Sequence, residues 1–228
     1  SSNFNGNTSP NIISNATILI NDTYVLDEDP DSLGFYVSNL PIPYLGQEKF
    51  DIDIVADIDG KEGNWTASND FTNVPNIDSI YYVFKEAAPP FQDEGYYVKI
   101  MFEDPVDEQN FYHLTVLIND TLSFELTPGT KRSLILRDEY VNGSGLNFEV
   151  NDEPLKEGQT LKVILSSITE DTYYYYFNMY TLLTETSGIG APPPFPLYGN
   201  LVSLNNNFPN ALGNFQVRST TVKEITVE

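Results

Sequence analysis

The chain has 228 residues and a mass of 25.6 kDa, enough for one large or two small domains around a real hydrophobic core. Eleven Lys and Arg against 33 Asp and Glu leave a net charge of −22, a field that repels nucleic-acid phosphates and anionic lipid, while 40% hydrophobic and 13% aromatic content marks a folded chain rather than an acidic disordered one. With no cysteine and one histidine there is no disulfide, no thiolate metal site, no cysteine nucleophile and no HExxH zinc motif.

Short apolar runs of strand length recur, broken by Gly, Pro, Asn and Asp, the pattern of antiparallel β structure. The first are Ala16 to Ile20 and Tyr24 to Leu26, joined through Asn21-Asp22; the acidic loop 27–31 precedes Gly34 to Val37. In Lys49 to Ile58, Phe50, Ile52 and Ile54 fall on one face and Asp51 and Asp53 on the other, so the strand is half-exposed. Asp59-Gly60 turns it back into Asn64 to Ala67. The pattern breaks at Asn73-Val74-Pro75-Asn76, where proline ends ladder pairing; this places a boundary between a first domain, 1–75, and a second, 76–228. Strands are then expected at Ile77 to Lys85, Tyr96 to Phe102, Phe111 to Ile118, Leu122 to Leu126, Ser133 to Leu136, Leu146 to Val150 and Thr160 to Ser166.

One segment has helical period. Tyr173, Tyr176, Phe177, Tyr180 and Leu183 recur at three- and four-residue steps after Ser167-Ile168-Thr169-Glu170, whose hydroxyls and carboxylates suit a helix N-terminus. A helix over about 170–184 follows, with Tyr173, Tyr176, Phe177 and Tyr180 facing the core and Tyr174, Tyr175 and Met179 facing outward. Residues 188–196 are proline-rich and extended, after which Leu201 to Leu204, Asn214 to Arg218 and Val222 to Val227 are expected to close the second sheet.

The ordered strings Asp138-Glu139-Tyr140-Val141-Asn142-Gly143, Pro154-Leu155-Lys156-Glu157-Gly158-Gln159-Thr160-Leu161, the aromatic helix, Pro192 to Pro196 and Asn210-Ala211-Leu212-Gly213-Asn214-Phe215 resemble a bacterial lipoprotein family catalogued as domain of unknown function 4249. In the first half, Ser14-Asn15-Ala16-Thr17-Ile18, Gly34-Phe35-Tyr36 and Trp65-Thr66-Ala67-Ser68 agree with it. The resemblance implies an outer-membrane lipoprotein of Bacteroidota-type bacteria, held by a lipidated N-terminal cysteine and paired with a TonB-dependent receptor. Relatives carry a signal, that cysteine and one or two strands before the position of Ser1, so the first sandwich lacks strands or borrows one.

The expected architecture is all-β: an immunoglobulin-like sandwich followed by a second sandwich or barrel with one helix. The expected function is non-enzymatic, as the accessory or ligand-capturing component of TonB-dependent nutrient uptake. Its partner would be the outer-membrane receptor, its cargo a small molecule, glycan or peptide, and its membrane contact a lipid anchor outside this sequence. An extracellular adhesion or structural module is the alternative, and a hydrolase the third reading. Carboxylates such as Glu103 with Asp104, or Asp138 with Glu139, are too abundant to single out an acid/base pair. No Gly-x-Ser-x-Gly elbow occurs, and His113 reads as an ordinary strand residue. No cofactor is expected; among metals, calcium suits the oxygen-rich turn of Asp57, Asp59 and Glu62. The outward helix face with Tyr174 and Tyr175, together with Pro193, Pro194 and Phe195, either docks a partner or ligand or packs under a neighbouring loop.

Overall fold

The structure is a computed structural model describing residues 12–106, 109–122, 135–138, 145–184, 195–205 and 208–228. In chain order its elements are β1 (Thr17–Ile20), β2 (Tyr24–Glu28), β3 (Tyr36–Val37), β4 (Lys49–Ile58), β5 (Lys61–Asp70), β6 (Ile77–Lys85), β7 (Gly95–Glu103), β8 (Phe111–Ile118), β9 (Thr121–Leu122), β10 (Ile135–Arg137), β11 (Gly145–Glu149), β12 (Thr160–Ile168), α1 (Glu170–Thr184), β13 (Val202–Ser203) and β14 (Thr220–Thr226). The protein is all-β with one helix among the described residues, and every strand pairing is antiparallel.

Two compact units result, and neither is contiguous. The first comprises Ser1–Asp70 and Tyr198–Phe215; the second comprises Phe71–Leu197 and Gln216–Glu228. A single cut near Asn73 does not describe them, because the segment 198–215 returns to the first unit. Leu201 to Leu204, expected in the second sheet, instead supplies β13, which pairs Val202 with Thr66 and Ser203 with Trp65. Sequence alternation shows which face of a strand is apolar but not which strand lies beside it. Asn214 to Arg218, expected as a strand, runs without ladder pairing.

The first unit carries one six-stranded sheet in the order β13-β5-β4-β1-β2-β3. The alternation in β4 holds: Phe50, Ile52 and Ala56 are buried, while Asp51, Val55 and Asp57 are exposed. Gly63, Trp65 and Ala67 of β5 lie on the same apolar face.

The second unit is a sandwich of β10-β8-β12-β14, with β9 beside β8, and β11-β7-β6. Val98, Ile100 and Phe102 from the smaller sheet meet Leu114, Val116, Leu161, Val163 and Leu165 from the larger, all at 0–2% exposure. Each such side chain contributes roughly 1.5–3 kcal/mol by leaving water. Asn151, 1% exposed, closes the polar end of β7: its Oδ1 accepts from the Val98 amide at 2.7 Å, and its Nδ2 donates to the carbonyls of Tyr96 and Glu153 at 3.2 and 2.8 Å.

Tight turns rest on left-handed pairs. Asp59-Gly60 and Asn119-Asp120 link β4 to β5 and β8 to β9, with φ of 54° and 77°, and 50° and 60°. Such values at both central residues give the type I′ hairpin, whose twist matches that of the strands. The string Leu-Ile-Asn-Asp-Thr occurs twice, at 19–23 and 117–121, with one role in each unit. The Asn21 amide and Oδ1 both bond the backbone of Asp51 at 2.9 Å, and those of Asn119 bond Thr160 at 2.9 and 3.0 Å. Each turn thereby fastens its hairpin to the next strand of the sheet.

Helix α1 has the expected bounds. Thr169 begins it, its Oγ1 accepting from the Thr172 amide at 3.4 Å and its carbonyl from the Tyr173 amide at 2.9 Å, with Glu170 and Asp171 at the positive end of the dipole.

Candidate functional site

The described residues leave part of the apolar face of the first unit's sheet uncovered. Ile54 opposite Trp65 and Ala56 opposite Gly63, with Ile18 of β1, make the floor of a cavity of about 670 Å³, within the range of small-molecule sites. Gly63 creates the wall. A Cβ there would lie 2.2 Å from Cη2 of Trp65, so the missing side chain lets the indole lie across the strand. The indole Nε1 donates to the Pro209 carbonyl at 3.0 Å, and the ring packs 5.5 Å from that of Phe208.

Two loops form the sides. Residues 198–205 and 208–215 are held by the Leu204 amide donating to the Asn64 carbonyl at 2.8 Å and by Asn200, which bonds both backbone groups of Phe215 at 2.7 and 2.8 Å. Glycine at 199 is obligatory for this crossing, since a Cβ would sit 1.6 Å from the Gly213 carbonyl oxygen. On the other side, Glu28 accepts from the amides of Asn15 and Gly34, both at 2.8 Å, and these bonds hold its carboxyl below the usual range. The Tyr36 hydroxyl accepts from the Ala16 amide at 2.8 Å and donates to the Ile13 carbonyl at 3.1 Å.

Among the described residues, no charged side chain lines the cavity. Its floor is recessed, with Ala56 at 4%, Trp65 at 7% and Ile18 at 9% exposure, whereas Leu33, Phe35 and Leu212 at the rim stand at 58–69%. The described lining is built for apolar contact, and its Tyr36 hydroxyl is engaged with the backbone of Ala16 and Ile13. Sequence alternation showed the floor; Phe35, Phe208 and Leu212 reach it from loops and left no periodic signal.

The sequence-predicted residues lie elsewhere. On α1, Tyr174 is exposed (41%), but Tyr175 is half-buried, and burial, reinforced by Tyr176, raises its hydroxyl pKa. Phe177, expected in the core, is 46% exposed. The buried stripe runs instead along Thr172 and Tyr173, because the helix is seated through its first turn: Tyr173 packs on Phe111, ring centroids 5.2 Å apart, beside Ile168. Phe177 caps this cluster from outside, stacked on Tyr173 at 6.3 Å. Phe195 is half-buried, and Pro193 and Pro194 lie outside the described residues.

Asp57, Asp59 and Glu62 do not converge. Among the described residues no group of three or more His, Cys, Asp or Glu side chains is arranged to hold a metal. Asp57 Oδ1 accepts from the Gly60 amide at 2.9 Å, which spends that oxygen on shaping the turn. The buried carboxylates Asp104 and Asp138 likewise serve structure, accepting from the Tyr112 hydroxyl at 2.5 Å and the Asn110 amide at 3.0 Å.

His113 belongs to a polar cluster that the sequence did not announce. Its ring stacks on Tyr176 with centroids 5.0 Å apart, and its Nδ1 accepts from Arg218 at 3.1 Å. Arg218 also donates to the Tyr176 hydroxyl at 2.6 Å and to Gln216 Oε1 at 2.7 Å. Burial first, and then the guanidinium, push the His113 pKa down to about 4, so the ring is neutral near pH 7 and serves as an acceptor.

Residues 1–224 match the family described as Domain of unknown function (DUF4249). No curated protein and no solved structure matches the chain at a significant level.

Proposed function

The chain belongs to the DUF4249 family, and from that premise we propose that it is a non-enzymatic, ligand-capturing lipoprotein ectodomain. It would serve a TonB-dependent receptor at the outer membrane. The observation that carries this reading is the recessed cavity of about 670 Å³ in the first unit. A concave apolar site with aromatic walls favours capture of a molecule over adhesion through a smooth surface. The absence of any carboxylate from its described lining favours binding over hydrolysis. The exposed rings of Tyr174 and Phe177 offer a second, separate apolar surface suited to holding a protein partner.

The test is isolation of the tagged, full-length protein from its native membranes under mild detergent, with the co-purifying proteins identified by mass spectrometry. Recovery in the outer-membrane fraction together with a TonB-dependent receptor is expected. Recovery without any such receptor would overturn the reading.

A further inference from the structure

We propose that the first unit's cavity takes an uncharged, predominantly apolar small molecule, such as a long-chain alcohol, ester or terpenoid. This rests on the capture reading and specifies its ligand class.

Three observations carry it. The first is the polar inventory of the wall. Trp65 Nε1 is committed to the Pro209 carbonyl, the Tyr36 hydroxyl to Ala16 and Ile13, and Asn210 Oδ1 to the Ser203 amide at 2.9 Å. Among the described lining side chains, only the amide nitrogen of Asn210, an exposed residue at the mouth, is left to donate to a ligand oxygen. A ligand rich in hydroxyls would strip its own hydration without replacement.

The second is charge. Residues 12–70 and 198–215 hold twelve carboxylates and two lysines, and none of these lines the cavity. An anionic head group would meet a repulsive field outside and no cation inside, while a cation would enter without a carboxylate to pair with.

The third is shape. The floor residues are nearly inaccessible while the rim is open, so a narrow molecule inserts where a flat protein surface would not reach. Residues 1–11 carry one large apolar side chain, Phe4, whose substitution below tests them as a competing occupant.

The chain contains one tryptophan, Trp65, in the cavity floor, so it is the single donor for energy transfer to a bound probe, and the cavity-filling variants below locate the binding. The intact chain is titrated with N-phenyl-1-naphthylamine, a neutral apolar fluorophore, and then challenged with 1-hexadecanol, palmitate and hexadecyltrimethylammonium. Saturable binding of one probe per chain is expected, with hexadecanol displacing it at least tenfold more effectively than either charged analogue.

Two variants fill the space from different sides: Ala56→Phe from the floor and Ala211→Phe from the cover. A tenfold or greater loss of probe affinity in either variant that keeps the wild-type far-ultraviolet spectrum supports the site. Displacement by palmitate or the ammonium as strong as by hexadecanol would overturn the ligand class, as would unchanged probe binding in both folded variants. A tenfold gain in affinity in Phe4→Ser, or loss of binding on self-association at high protein concentration, would assign the cavity to the chain itself. None of these results depends on receptor co-purification, so the two readings fail separately.

Discussion

Substituting Gly63 by Ala should disturb the cavity wall and little else. The new methyl would stand 2.2 Å from Cη2 and 2.6 Å from Cζ3 of Trp65, and 2.9 Å from Cδ2 of Phe208, all far inside van der Waals contact. The indole must therefore shift by more than an ångström. Overpacking of this kind costs about 1–3 kcal/mol, and loss of the 3.0 Å bond to Pro209 adds about 0.5–1.5 kcal/mol. Alanine is a better strand residue than glycine by about 0.5–1 kcal/mol, which offsets part of the loss. The balance is a destabilisation of about 1–3 kcal/mol confined to the first unit. Urea denaturation followed through Trp65 emission reads that unit selectively, since the second contains no tryptophan. The variant should unfold at lower urea with a red-shifted folded-state emission. An unshifted spectrum with a stability change below about 0.5 kcal/mol, the size of an ordinary surface substitution, would show that the glycine does not shape the wall.

Two further predictions concern the second unit. Tyr173→Ala removes a ring that is 8% exposed and packed on Phe111, and should cost about 3–5 kcal/mol, whereas Phe177→Ala, 46% exposed, should cost about half of that or less; equal losses in urea denaturation would mean the seated face of α1 is misassigned. His113 is neutral when folded, with a pKa of about 4 against 6.5 for the free group, so the unfolded chain binds its proton first as pH falls. The stability from this site is complete above about pH 6.5 and drains away toward pH 4. Measured against His113→Gln, in which this titration is absent, the wild-type advantage at pH 8 should shrink by up to about 3 kcal/mol at pH 4. A constant difference across that range would remove the argument.

How far the sequence reaches depends on whether the governing interaction is local. The strands Lys49–Ile58, Ile77–Lys85 and Phe111–Ile118 and the helix Glu170–Thr184 are written in alternation, in three- and four-residue spacing and in a threonine cap followed by two acids. Each of these acts between residues a few positions apart. The left-handed turns at Asp59-Gly60 and Asn119-Asp120 are equally local, because Asn, Asp and Gly tolerate positive φ. The same local rules pointed to Phe177 as core and failed there. Helical spacing defines a stripe, but only the seating of the first turn against Phe111 decides which part of it leaves water.

The division into units and the cavity were beyond that reach. Val202-Ser203 has no pattern of its own, and it joins the first sheet because 198–215 returns across the chain to the edge of β5, more than a hundred residues away in sequence. The cavity needs Gly63 to vacate the space under Trp65, Pro209 to receive the indole proton, and Phe35 and Phe208 to arrive from loops on opposite sides. The composition and alternation of this chain determined that its strands would each present an apolar face. Which faces were packed shut and which one was left open was decided by long-range backbone pairing, because a void is a property of surfaces that meet and no single segment encodes it.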